Sequence, residues 1–130
     1  MKKIVTAIGN KNLNLKLKQE NDFEIMVDDI QYREGILEFL EKEKNIDFLF
    51  LSELLPGEIE IKELIEKIKM INSYIQIVLF LENKNEELEN YLYAKGIYFI
   101  FYNNQINFSE IIKLINNEKE NSNKELKMEL

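Results

Sequence analysis

Residues Ile46–Gly57 have the sequence Ile46-Asp47-Phe48-Leu49-Phe50-Leu51-Ser52-Glu53-Leu54-Leu55-Pro56-Gly57. The apolar residues Phe48–Leu51 follow one another without alternation, which predicts a strand with both faces buried in a parallel sheet. Ser52 and Glu53 come directly after this run and before the turn at Pro56-Gly57, so they fall at the carboxyl end of the strand. In an open α/β sheet, ligands bind at that end of the strands.

Strand-like and helix-like segments alternate along the whole chain. The predicted strands span Lys2–Ile8, Phe23–Val27, Ile46–Leu51, Ile75–Leu81 and Ile97–Phe101. The predicted helices span residues 10–20, Gln31–Lys44, Glu60–Asn72, Glu86–Lys95 and Phe108–Asn117. Gly96 is the predicted C-cap of the fourth helix. Strict alternation of this kind predicts a three-layer α/β domain, with a parallel sheet covered by helices on both faces.

The segment 10–20 is the least clear part of this pattern. Leu13, Leu15 and Leu17 alternate as they would in a strand, but Leu13 and Leu17 also share one face of a helix. Parallel neighbouring strands need a crossover between them, which favours the helix. We expect one domain over residues 1–116, followed by a polar tail or linker at 117–130.

The composition excludes several classes of function. The 130 residues include no cysteine and no histidine, which excludes disulfides, thiol nucleophiles, histidine-dependent triads and thiolate metal sites. The formal net charge is −7, and an acidic surface repels phosphate backbones, so we expect no nucleic-acid partner. No apolar run approaches the roughly 20 residues of a membrane span, so we expect a cytoplasmic protein without a membrane partner.

With these elements in place, the chain resembles the receiver domain of bacterial response regulators from Lys2 to about Ile115. Receivers usually carry an acidic residue, four apolar residues, the phosphate-accepting aspartate, three variable residues and then Pro-Gly. Asp47, the apolar run, Ser52 and Pro56-Gly57 fit that frame, and so does Gly96 before the fifth strand. The resemblance implies a flavodoxin-like sheet with strand order 2-1-3-4-5.

The resemblance also locates the positions that carry the family's chemistry, and this chain lacks their side chains. The phospho-acceptor position is Ser52, which has no carboxylate. The acidic magnesium-binding pair, the Ser/Thr switch, the aromatic switch and the Lys-Pro pair fall at Ile8-Gly9, Leu81, Ile100 and Asn103-Asn104. Phosphoryl transfer of this kind needs a carboxylate nucleophile, magnesium and a lysine, so the resemblance implies a pseudo-receiver that is not an enzyme and holds no metal or cofactor.

A looser similarity concerns the parent chain. Atypical receiver-like domains precede ParA/MinD-type ATPase domains in pilus-assembly and localisation proteins, and a polar tail at 117–130 suits a linker to such a domain. No P-loop of the form G-x-x-x-x-G-K-[ST] occurs in these residues, so the ATPase domain would lie elsewhere in the parent chain.

Three short polar segments leave alternatives open. Asp28-Asp29 has the chemistry for a divalent ion, but a loop pair that caps the following helix is the favoured interpretation. Ser52-Glu53 is either an alternative phosphosite or an ordinary turn. Gly9-Asn10 could form a phosphate-binding turn, although it lacks the glycine-rich loop that nucleotide or flavin binding needs.

Tyr91, Tyr93, Tyr98 and Tyr102 lie on the predicted fourth helix and fifth strand. Tyrosine is enriched at protein interfaces, and helix 4, strand 5 and helix 5 form the face by which receivers pair. We therefore predict a non-catalytic regulatory module that binds a protein partner or a second copy of itself. The alternatives are a receiver that still responds to phosphate or a small anion near Ser52, and a flavodoxin-like binder of a small ligand.

Overall fold

The computed structural model describes residues 1–116; the predicted tail at 117–130 lies outside the described residues. The strands are β1 (Lys2–Ala7), β2 (Phe23–Ile25), β3 (Phe48–Ser52), β4 (Gln76–Leu81) and β5 (Phe99–Tyr102). The α-helices are α1 (Lys11–Lys18), α2 (Arg33–Lys42), α3 (Ile61–Ile71), α4 (Glu86–Ala94) and α5 (Phe108–Asn116), with a short 3₁₀ turn at Asn103–Gln105 before α5. Every pair of neighbouring strands is parallel and the sheet order is β2-β1-β3-β4-β5, which confirms the predicted fold.

The central position of β3 explains its composition. It pairs with β1 on one side and β4 on the other, and all five of its residues are buried. Helices α2, α3 and α4 cover one face of the sheet, while α1 and α5 cover the other. A strand enclosed in this way gains stability from large apolar side chains on both faces, as its sequence predicted.

The ambiguous segment 10–20 is a helix in the structure. Leu13 and Leu17 are buried against the sheet, whereas Leu15 is 57% exposed. The Asn10 side chain caps α1 by accepting a hydrogen bond of 3.0 Å from the Leu13 amide. The spacing of Leu13 and Leu17 on one helix face therefore predicted this segment correctly, whereas the strand-like alternation of Leu13, Leu15 and Leu17 did not.

The end of α4 is set by Gly96, as predicted. Gly96 has a φ of +78°, a backbone conformation that residues with a Cβ rarely adopt. Its amide donates to the Tyr93 carbonyl at 3.0 Å, and the Ile97 amide donates to the Leu92 carbonyl at 2.9 Å. This pair of bonds is the Schellman arrangement, which turns the chain from α4 into β5.

No helix within residues 1–116 is long and apolar enough to cross a bilayer.

Candidate functional site

An open cleft of about 790 Å³ lies at the carboxyl edge of the sheet. It is bounded by the loops that follow β1, β2, β3, β4 and β5. The side chains that line it include Ser52, Gln31, Lys11, Glu82 and Asn103. The fold thus brings two of the predicted site positions, Ser52 and Asn103, together with Ile8 and Gly9 at the carboxyl edge of the sheet, where the sequence predicted them.

Ser52 is the last residue of β3 and is only 5% exposed. Its Oγ accepts a hydrogen bond of 3.1 Å from the Leu54 amide, two residues further along. This is a turn-stabilising bond of the kind that serine commonly makes after a strand. The observed geometry at Ser52-Glu53 is that of the ordinary turn, which was one of the two interpretations.

Asp29 does not cap α2, contrary to the favoured interpretation. Its carboxylate instead accepts hydrogen bonds from the amides of Ile8, at 3.1 Å, and Gly9, at 2.9 Å, in the β1–α1 turn. The N-cap of α2 is Tyr32, which makes no side-chain capping bond. Asp29 therefore brings a carboxylate from the loop after β2 to the end of β1, and both of its oxygens accept hydrogen bonds from backbone amides.

Two further carboxylates at this edge join neighbouring strand ends. Glu53, after β3, accepts a bond of 2.7 Å from the Glu82 amide, after β4. The Glu82 carboxylate in turn accepts a bond of 3.0 Å from the Asn103 amide group, after β5. Among residues 1–116, no group of three or more potential metal-ligating side chains is clustered. The carboxylates beside the cleft therefore act as intramolecular acceptors.

The resemblance singled out three further positions, Leu81, Ile100 and Asn103. Leu81, the predicted switch position, is fully buried in the core. Ile100 packs against the apolar cluster beneath α4. Asn103 supplies no positive charge, and Lys11 and Glu82 are the charged residues that line the cleft. The groups that line the cleft thus include the buried Ser52 hydroxyl, side-chain amides and the Lys11 ammonium group.

Arg33 is a structurally important residue that the sequence analysis missed. It opens α2, and its guanidinium donates to the carbonyls of Glu53 at 2.7 Å, Leu55 at 2.8 Å and Ile59 at 2.8 Å. The neighbouring Glu34 accepts bonds from the amides of residues 58 and 59, and the Ile59 amide is the main cause of its lowered pKa. Together these side chains hold the β3–α3 loop, which forms one wall of the cleft.

A second candidate surface lies at the outer edge of the sheet. The rings of Tyr93, on α4, and Tyr98, before β5, stack with centroids 6.2 Å apart and planes inclined by 19°. Each residue is 44% exposed. We call the surface formed by Tyr93 and Tyr98 the tyrosine face.

The structure directs Tyr91 away from the tyrosine face and toward α3. Its hydroxyl lies 3.1 Å from the Lys62 carbonyl and 3.2 Å from the Glu66 carboxylate. The ammonium groups of Lys62 and Lys95 lie 5.1 and 5.6 Å from the centre of its ring. Burial is the main cause of its raised pKa. Tyr91 thus joins two helices and does not share the exposed surface of the stacked pair.

Tyr102, the last residue of β5, donates its hydroxyl hydrogen to the Glu89 carboxylate on α4. Glu89 is only 8% exposed, and Lys84 lies 3.4 Å from it. Burial, reinforced by Glu89, raises the pKa of Tyr102 to about 12. The hydrogen bond from Tyr102 lowers the pKa of Glu89 more than burial raises it. This contact ties α4 to the edge strand beside the tyrosine face.

The chain is similar to known proteins in structure alone. No family model and no curated protein matches the sequence. A LuxR-family DNA-binding response regulator from Staphylococcus aureus is 15% identical, with a TM-score of 0.74 over 89% of this chain and 97% of that one. A CheY-like receiver domain from Methanospirillum hungatei is also 15% identical, with a TM-score of 0.71 over 96% of this chain and 98% of that one.

A third similar structure is the RcsB response regulator from Salmonella typhimurium. It is 16% identical, with a TM-score of 0.76 over 93% of this chain and 60% of that one. At such identities the likeness establishes the fold. The chain therefore has the flavodoxin-like fold of response-regulator receiver domains.

Proposed function

We propose that this protein is a non-catalytic pseudo-receiver that acts as a regulatory interaction module. The observation that carries the proposal is the use of the carboxylates at the carboxyl edge. Asp29, Glu53 and Glu82 each accept hydrogen bonds from the chain itself, and Ser52 occupies the end of β3. Asp29 uses both of its carboxylate oxygens in these contacts, and Glu53 and Glu82 use one each. A metal ion at a phosphoryl-accepting site that took those oxygens would break contacts between loops.

The tyrosine face is the proposed contact surface. Exposed aromatic rings bury a large area on binding at a small cost in side-chain entropy, and tyrosines are frequent binding hot spots. The stacked arrangement of Tyr93 and Tyr98 already restricts both rings before any partner binds. The partner is a second copy of the chain or another protein domain, such as the ATPase domain of a ParA/MinD-type parent chain.

Molar mass measured by light scattering over a concentration series tests the proposal for self-association. We expect a dimer whose mass is unchanged by magnesium with beryllofluoride, a mimic of the phosphoryl group. Tyr98→Ala should weaken the dimer by at least tenfold, as a hot-spot tyrosine would. Tyr74→Ala is the control for loss of an exposed tyrosine, because Tyr74 is 90% exposed and lies in the loop before β4. A wild-type monomer at all concentrations would refute self-association through this face.

For an ATPase domain as partner, the same variants apply to a titration of this chain with that domain. Tyr98→Ala should weaken binding while Tyr74→Ala leaves it unchanged. Equal affinities of the two variants would remove the tyrosine face from the proposal.

A second candidate function is an anion-responsive receiver, and the cleft itself supports it. The Lys11 side chain lines the opening of a 790 Å³ cleft that also contains Ser52. This candidate predicts that inorganic phosphate or beryllofluoride with magnesium shifts the amide resonances of Gly9, Ser52 and Asn103. Lys11→Met should abolish those shifts. Spectra that respond to neither anion would refute this second candidate.

A further inference from the structure

Glu89 occupies an unusual position for a carboxylate. Among residues 1–116, the buried polar or charged side chains are Thr6, Ser52 and Glu89, so Glu89 is the buried charge of the described domain. A buried charge is costly unless hydrogen bonds or an opposite charge compensate it. Tyr102 and Lys84 supply that compensation from β5 and from the loop before α4.

The contact between Glu89 and Tyr102 lies directly beside the tyrosine face. Tyr93 follows Glu89 by four residues, or about one helical turn, on α4. Tyr98 lies just before β5, four residues before Tyr102 at the end of that strand. Glu89 with Tyr102 and Tyr93 with Tyr98 are therefore two successive contacts between α4 and the segment of β5.

The opposite side of α4 is held separately. Glu87 lies 3.4 Å from Lys62, and Lys95 lies 3.2 Å from Glu66, so two ion pairs join α4 to α3. Both pairs are substantially exposed and contribute little to the position of the helix. Compared with these two ion pairs, the hydrogen bond to Glu89 is the stronger constraint, because its loss leaves a carboxylate that is 8% exposed with fewer partners.

We propose that Glu89 and Tyr102 are positioning residues that fix α4 against β5 and so hold the Tyr93–Tyr98 pair in its stacked arrangement before any partner binds. The importance of this preorganisation for binding rests on the proposed function. The positioning itself is a property of the isolated domain. Fixing a binding surface in advance reduces the entropy that association must otherwise remove.

The test compares Tyr102→Phe with Tyr74→Phe, which removes the same atom from an exposed ring. Nuclear magnetic resonance of the protein at low concentration reports the Tyr93 and Tyr98 ring resonances, whose shifts depend on stacking. We expect both to move in Tyr102→Phe and to stay fixed in Tyr74→Phe. Amide hydrogen exchange in Asn90–Ala94 should rise by about tenfold in Tyr102→Phe, and by more than any rise in the amides of β3.

A second variant separates positioning from general destabilisation. Glu89→Gln keeps an oxygen that accepts the Tyr102 hydrogen bond, so it should retain the wild-type Tyr98 shifts, whereas Glu89→Ala should reproduce the effect of Tyr102→Phe. Unchanged ring shifts in both Tyr102→Phe and Glu89→Ala would overturn the inference. An increase in exchange that is equal in α4 and β3 would also overturn it, because it would indicate global unfolding alone.

These readouts need no partner, so they are independent of the proposed function. If Tyr98→Ala leaves every association unchanged while Tyr102→Phe still moves the Tyr98 resonances, the proposed function fails and the positioning role stands. If Tyr98→Ala weakens association and Tyr102→Phe moves no resonance, the interface stands and the positioning role fails.

Discussion

Replacement of Arg33 should weaken the whole fold by disconnecting the β3–α3 loop from α2. The guanidinium donates to three carbonyls, at residues 53, 55 and 59, over distances of 2.7–2.8 Å. Arg33 is the one arginine of the sequence, and the fork of a guanidinium can serve three acceptors in a way that an ammonium group cannot. The variants of interest are Arg33→Met, which keeps most of the apolar stem, and Arg33→Lys, which keeps the charge.

The magnitude follows from the number of bonds lost. Hydrogen bonds to a charged group contribute about 1.5–3 kcal/mol each, which gives an upper limit of about 9 kcal/mol for three. The residue is only part-buried, so water can replace some of the lost bonds. We therefore take about 1 kcal/mol per bond and expect Arg33→Met to lower the free energy of unfolding by about 3 kcal/mol. Arg33→Lys should lose about 2 kcal/mol, because one carbonyl remains within reach.

Urea denaturation followed by circular dichroism measures the effect. For a slope of about 1–2 kcal/mol/M, a loss of 3 kcal/mol lowers the midpoint by about 1.5–3 M. Lys67→Met is the matched control, since Lys67 forms an exposed ion pair with Glu63 at 3.6 Å and should cost at most about 0.5 kcal/mol. If Arg33→Met costs no more than Lys67→Met, the loop does not depend on the guanidinium and the reasoning is wrong.

Four further outcomes are expected. Gly96→Ala should lower the free energy of unfolding by about 1 kcal/mol in the same urea assay, because φ is +78° at this position. A Cβ there would meet no atom within 4 Å, so the cost comes from the backbone conformation. No change in stability would mean that the turn tolerates a side chain. A chain that ends at Asn116 should keep the wild-type thermal midpoint if residues 1–116 form the folded unit, and a loss of cooperative unfolding would disprove that boundary. Wild type should be more stable than Glu89→Gln above the ordinary glutamate pKa of 4.5, and this difference should disappear as the pH falls through the lowered pKa of folded Glu89. Urea midpoints measured across pH test this. A stability difference that grows on acidification would contradict the direction of the pKa shift. Ser52→Asp should not make the chain responsive to magnesium with beryllofluoride in tyrosine fluorescence, and a saturable response would show that the surrounding carboxylates are free to bind the metal.

The fold was predictable because its signals are local and redundant. The uninterrupted apolar run of β3 and the 3.6-residue periodicity of α3 each identify a buried surface without reference to distant residues. Five such units in alternation leave few topologies, since crossovers between parallel strands are right-handed. Even the ambiguous segment 10–20 was resolved by the topological need for a helix between β1 and β2.

Element ends were less predictable where distant residues set them. β2 ends at Ile25 and α2 begins at Arg33, so residues 26–32 are irregular although strand and helix were predicted to extend into them. The Met26 amide still bonds to the Ile4 carbonyl, and the Ile30 amide bonds to the Thr6 carbonyl at 2.8 Å. With Asp29 bound to the β1–α1 turn, this segment follows β1 and cannot begin the helix earlier.

The hydrogen-bond partners of the carboxylates beside the cleft could not be predicted from the sequence, because the bonded residues are 20 or more positions apart. Asp29 reaches Gly9 across 20 positions, and Glu53 reaches the Glu82 amide across 29. Local rules assign such residues to caps and turns, which was right for Ser52 and wrong for Asp29. A signal for Arg33 did exist, because a basic residue at the start of a helix opposes the helix dipole and needs another reason to be there.

The contacts at the carboxyl edge also constrain how this domain can transmit a signal. A receiver that senses a ligand at the strand ends needs loops there that have two accessible arrangements with different affinities for the ligand. Here Asp29 holds the loop after β1, Glu53 and Glu82 join the ends of β3, β4 and β5, and Arg33 holds the β3–α3 loop. Each of these contacts favours the single arrangement observed, so a ligand would have to overcome all of them to shift the population. Under the proposed function the partner binds at the tyrosine face instead, where association requires no rearrangement of the cleft.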